Sequence, residues 1–116
     1  MNSSTNLEQL MEFGQQTQEA AGLLKAMANE CRLLVLCHLS VSGELSVGQL
    51  VERVGLSQSA LSQHLAKLRE EQVVVTRKEA QTVYYRVGDP KVEQLLALLH
   101  TLFCPDLGDH QMSQGS

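Results

Sequence analysis

Residues 46–68 read SVGQLVERVGLSQSALSQHLAKL. Val47, Leu50, Val51 and Val54 recur at three- and four-residue spacing, which predicts a short helix with one apolar stripe. Gly55 follows where the chain must turn sharply, since it takes positive φ without a Cβ clash. Leu56 packs under that corner, and the Ser57 hydroxyl can accept an orphan backbone N–H at the start of a second helix. Leu61, Leu65 and Leu68 form the buried stripe of that helix. The remaining face carries Gln58, Ser59, Ser62, Gln63, His64 and Lys67. Amides read base edges, while hydroxyls and a lysine hold phosphates, so this face predicts a helix-turn-helix whose second helix enters a DNA major groove. The competing reading is an ordinary helical hairpin with a solvated polar face.

The residues downstream favour the first reading. Val73–Lys78 and Thr82–Val87 are rich in β-branched and aromatic residues, and Glu79-Ala80-Gln81 joins them, which predicts a β-hairpin. A hairpin directly after a recognition helix is the wing of a winged helix-turn-helix. Arg77 and Lys78 are expected at its charged tip, against the DNA backbone beside the groove, unless they are merely solvated charge. Asp89 caps a last helix, with Pro90 at its first position. Val92, Leu95, Leu96, Leu98, Leu99, Leu102 and Phe103 make that helix heavily apolar, and it stops at Cys104-Pro105 because proline cannot continue it.

Upstream, residues 7–27 show a helical pattern weakened by Gly14 and Gly22. Asn29 caps a second helix over residues 30–40 that is apolar nearly all round and should be the central buried one. Residues 41–45 read as a loop. The expected fold is mainly α with a β-hairpin, in the order α-α-α-α-β-β-α. Its single domain covers residues 7–105, between disordered ends at 1–6 and 106–116. The first and last helices have more apolar surface than so small a domain can bury. A homodimer through those two helices is therefore expected, presenting two recognition helices to a palindromic operator.

Composition agrees with this class. At 116 residues there is room for one domain, and 43% hydrophobic content supports a core. Aromatics are 3%, which argues against a nucleic-acid binder that stacks bases on aromatic platforms. No long apolar run and no basic-then-apolar leader is present, so a cytoplasmic protein without membrane contact is expected. The net charge is −4, but residues 53–91 hold seven cations and four anions, against two cations and nine anions elsewhere. A positive middle between acidic ends fits a domain that meets phosphates with one face. Three cysteines do not make a disulfide framework.

The segments LLKAMANECRL (23–33), ELSVGQL (44–50), LSQSALSQHLAKLRE (56–70) and RKEAQTVYYRV (77–87) resemble the ArsR/SmtB family of winged-helix regulators, and within it the HlyU/BigR-like dithiol sulfur-sensing subgroup. The resemblance implies a DNA-binding repressor. Many members bind metal through cysteines in a motif of the form ELCVCDL, where this chain has Ser46 and Gly48. Others bind zinc between their last helices. Here Asp89 remains, but Lys91, Leu102 and Pro105 fill the other ligand positions, and none of these can hold zinc. His38 and His100 are single histidines on apolar helices and read as structural, and His110 lies in the tail. No metal or other cofactor is expected.

Cys37 and Cys104 are 67 positions apart, and nothing in their spacing pairs them. The resemblance does, since the subgroup carries one cysteine in each of these places. It implies that the two form a disulfide or polysulfide bridge on reaction with persulfides or oxidants, and that bridging loosens DNA binding. The residue-level alternative is that both are small core hydrophobes. Cys31 lies about 240° around the helix from Cys37, so the two do not share a face. Other readings include a metal sensor using Cys37, Cys104 and a histidine, and an activator that displaces another DNA-binding protein. A protein-interaction module is a further one. A thiol enzyme is not expected, because no Cys-x-x-Cys and no acid–base partner is present.

Overall fold

A computed structural model describes residues 6–104. Asn6 Oδ1 accepts the Gln9 amide at 2.9 Å while Gln9 Oε1 accepts the Asn6 N–H at 3.2 Å. This reciprocal cap starts α1 (Leu7–Met27), so Asn6 belongs to the helix start and not to a disordered end. Residues 1–5, Pro105 and the expected tail at 106–116 lie outside the described residues.

Asn29 Oδ1 accepts the amides of Cys31 and Arg32, both at 3.0 Å, and opens α2 (Glu30–Ser42). Arg32 Nε donates to the Ala26 carbonyl at 2.7 Å, satisfying an orphan acceptor at the end of α1. α2 is the central helix. It touches α1, the third, fourth and fifth helices and the last strand, and buries Val35, Leu36 and Leu39. It is not covered all round as expected: Leu34 is 43% and Val41 78% exposed.

The expected loop at 41–45 is corrected. α2 continues to Ser42, Gly43 turns the chain at φ +88°, and Leu45–Ser46 form a short strand, β1. Ser46 then caps α3 (Val47–Val54) in a reciprocal bond with Gln49, and Gly55 ends α3 in the left-handed region, at φ +82°. Ser57 Oγ accepts the Ala60 amide at 3.2 Å and opens α4 (Gln58–Glu70). The hairpin is β2 (Val74–Glu79) with β3 (Thr82–Val87), in register from Val74↔Val87 to Glu79↔Thr82. β1 pairs with β3 through Leu45↔Tyr85 and Ser46↔Tyr84, giving the antiparallel order β1-β3-β2. Asp89 caps α5 (Pro90–Phe103). The core is aliphatic: Leu36, Leu39, Leu50, Leu61, Leu65, Leu68, Val73, Val74, Val92 and Leu96 are all but completely buried.

α4 ends in a strained cap. The Val73 amide donates to the Leu68 carbonyl and the Gln72 amide to Arg69, each at 2.9 Å, which forces Gln72 to φ +62°. A side chain there clashes with its own carbonyl. Gln72→Gly is therefore expected to raise stability by about 1 kcal/mol. An unmoved or lowered urea midpoint would show that the cap tolerates glutamine without strain.

Candidate nucleic-acid interface and thiol pair

α4 is held by its leucine stripe. Leu61, Leu65 and Leu68 are at most 1% exposed, which fixes the opposite face outward. Gln58, Ser59, Ser62, Gln63 and Lys67 are exposed on that face, and His64 is half-buried beside it. Ser57 Oγ lies at the head of this row, bound to the Ala60 amide and 3.4 Å from Ser59 Oγ. Lys67 Nζ stands 3.6 Å from Glu70 Oε1, with both side chains open to water. An exposed pair of this kind is weak and screened, so the ammonium remains available to a phosphate. The outward face thus presents amides and hydroxyls with one cation, Lys67, toward the end of the helix.

The hairpin meets α4 through β2, but its tip differs from expectation. The turn is Ala80-Gln81, and Arg77 and Lys78 lie back on β2 opposite Tyr84 and Val83. Lys78 is exposed and in no ion pair among the described residues. Arg77 is not a free tip cation: its guanidinium holds Glu44 at 2.8 and 3.0 Å and Glu79 at 2.6 Å. Nothing in the sequence marked Glu44, which is 33 positions from Arg77.

The thiols lie elsewhere. Leu33, Cys37 and Ser40 form one stripe along α2, and Ser40 Oγ donates to Glu93 Oε1 of α5 at 2.7 Å, so this stripe faces α5. Cys37 is half-buried against the core. Cys104 caps the far end of α5, exposed, its N–H on the His100 carbonyl at 2.8 Å. Burial raises the Cys37 thiol above an ordinary cysteine, and negative charge on Cys104 raises it further. Cys31, in the first turn of α2, is half-buried on another face. Among the described residues no group of three His, Cys, Asp or Glu could hold a metal. The Ser46 hydroxyl is taken by the α3 cap, and Lys91 sits 3.6 Å from the Asp89 carboxylate.

Fold and exposed face together define a winged helix-turn-helix protein. Residues 29–75 match the family described as bacterial regulatory protein, arsR family. The chain is 55% identical over 95 residues to the transcriptional activator HlyU of Vibrio cholerae, covering 82% of this chain and 87% of that protein. It is 41% identical over 93 residues to the biofilm growth-associated repressor of Xylella fastidiosa, covering 80% and 81%. The solved structure of reduced HlyU from Vibrio cholerae superposes with a TM-score of 0.75 at 55% identity, covering 80% of this chain and 97% of that one. The chain belongs to the arsR family, and it is a DNA-binding transcriptional regulator. Its relatives are regulators, not enzymes. Among the described residues no helix is long and apolar enough to cross a membrane.

Proposed function

We propose that the chain acts in the cytoplasm as a homodimeric repressor whose hold on a palindromic operator is switched by reversible oxidation of Cys37 and Cys104. The observation that supports this reading is a half-buried thiol on the stripe of the central helix that faces α5, with a second thiol exposed at the end of α5. The relative solved in a reduced form adds support for a redox role. Exposed apolar side chains on α1 (Leu7, Leu10, Met11, Phe13, Leu24) and α5 (Leu98, Leu102, Phe103) support dimerisation through those helices. Tethering α5 to α2 would then alter the dimer, and with it the spacing of two α4 helices that must meet half-sites about 34 Å apart.

The organic persulfide is the two-electron oxidant, and its sulfane sulfur leaves as hydrosulfide. The Cys104 thiolate attacks the outer sulfur of an organic persulfide, takes that sulfur and releases the organic thiolate. The Cys37 thiolate then attacks the inner sulfur, forming the Cys37–Cys104 disulfide and releasing hydrosulfide. If Cys37 also carries an added sulfur, the same displacement leaves a trisulfide bridge. Cellular thiols reverse either bridge.

Gln58, Ser59, Ser62, Gln63 and His64 read bases, and Ser57, Lys67 and Lys78 hold the backbone. Gln63→Ala is expected to lower discrimination between operator and mutated operator by about 1–3 kcal/mol. Equal preference before and after would remove it from base reading. Lys78→Ala is expected to weaken binding to all sequences and reduce the salt slope by about one. An unaltered slope would remove it from the phosphate contacts. A second reading, activation by displacing another DNA-binding protein, is favoured by the name of the Vibrio relative as an activator. Fluorescence anisotropy with the promoter duplex, at several salt concentrations and with sedimentation of the complex, tests the proposal. Two chains per operator and release by persulfide are expected; a monomeric complex indifferent to persulfide would refute it.

A further inference from the structure

We infer that Arg77 is a positioning residue: together with Glu44 it staples the wing to the start of the helix-turn-helix, so that DNA affinity depends on an ion pair whose members need not touch DNA. This rests on the reading of the hairpin as a DNA-contacting wing.

Arg77 stands on β2 opposite Tyr84 of β3, and Tyr84 stands opposite Ser46 of β1. The three strands therefore line up Arg77, Tyr84 and Ser46 in one row. The Arg77 side chain crosses this row. Its guanidinium carbon lies 4.7 Å from the Tyr84 ring centre, and beyond the ring it grips Glu44 with a fork: Nε to Oε2 at 3.0 Å and Nη2 to Oε1 at 2.8 Å. Nη1 donates to Glu79 Oε1 at 2.6 Å. Each guanidinium nitrogen faces a carboxylate oxygen and one face of the plane lies over a ring, so three of the five N–H groups are engaged and the charge is balanced by two carboxylates. The hydrogen bond from Arg77 holds the Glu44 carboxyl below the usual carboxylate range, so the pair stays ionised through neutral pH.

The location gives the staple its effect. Glu44 immediately precedes β1, and Ser46 of β1 caps α3, the first helix of the helix-turn-helix. Lys78 is the next residue after Arg77. β1 is only two residues long, so its ladder alone is a weak hold on the wing. The fork adds a second attachment across the middle strand and sets where Lys78 stands relative to α4. Exposed ion pairs contribute little to global stability, so the effect should appear in DNA affinity and not in the melting temperature.

Charge alone argues the opposite way, which makes the test sharp. If Arg77 meets a phosphate, Glu44→Gln removes an anion near DNA and should tighten binding, Arg77→Lys should keep most of the affinity, and Arg77→Ala should lower the salt slope by about one. If Arg77 is a staple, Glu44→Gln, Arg77→Ala and Arg77→Lys should each weaken promoter binding roughly three- to tenfold with the salt slope unchanged, because lysine cannot reproduce the fork. Glu44→Ala/Arg77→Ala should be no weaker than the weaker single variant. These affinities are measured by anisotropy on full-length chains whose melting temperatures match the wild type. Tighter binding by Glu44→Gln, or rescue by Arg77→Lys, would overturn the staple. A wild-type salt slope that Lys78→Ala leaves untouched would overturn the wing reading beneath it.

Discussion

Cys104→Ser is expected to leave operator binding by the reduced protein unchanged and to abolish its release by an organic persulfide. Cys104 is exposed at the end of α5, so a hydroxyl in place of the thiol leaves the core as it was. Serine cannot carry sulfane sulfur, so neither displacement that leads to the bridge can occur. Cys37→Ala is expected to abolish release as well, with a smaller side chain against the core as its structural cost. Cys31→Ser is expected to keep the response. Release by the unmodified protein should also depend on pH. Burial and the charge of Cys104 raise the Cys37 pKa, which lowers its thiolate fraction at neutral pH. Closing the bridge needs that thiolate, so the rate should rise with pH until the raised pKa is passed and then level. Stopped-flow measurement of release across this range checks the sign. Persulfide release that survives in Cys104→Ser would place the switch elsewhere.

Leu65→Ala is expected to cost about 2–5 kcal/mol of folding stability. Leu65 is 1% exposed, and its neighbours on the stripe, Leu61 and Leu68, are fully buried and apolar, so the vacated space offers water no hydrogen-bond partner among them. A loss of that size is a large part of the roughly 5–15 kcal/mol that holds such a domain together. It also removes the middle anchor of α4, so the DNA-facing side chains lose their fixed orientation. Urea denaturation followed by circular dichroism measures the loss. A change well below 1 kcal/mol would mean that the stripe relaxes onto α2 and that α4 is not held as described.

What was legible in the sequence was local. Asn29, Ser46, Ser57 and Asp89 cap their helices as expected, because each cap joins a side chain to an amide no more than three residues away. The valines and leucine of α3 and the leucines of α4 likewise carry their own three- to four-residue period. What was not legible depends on distance along the chain. β1 has two residues, too few to show alternation, and exists only because Tyr84 and Tyr85 supply its partners. The Arg77–Glu44 fork joins residues with no mutual pattern, and so Arg77 read as a free tip cation. α2 runs two residues beyond the expected end, to Ser42, because the chain first takes positive φ at Gly43. Cys37 and Cys104 were linked by family resemblance, since nothing between them in the chain indicates that α2 and α5 meet.

The most direct measurement is an operator titration of the wild-type protein in three states: reduced, treated with an organic persulfide, and treated then returned to reductant, with mass spectrometry of the Cys37 and Cys104 peptides in each. The expected result is tight binding, loss of binding with a Cys37–Cys104 cross-link of one or more bridging sulfurs, and recovery of both affinity and free thiols. Binding that persists while the cross-link forms, or that is lost without it, would contradict a switch built on this pair.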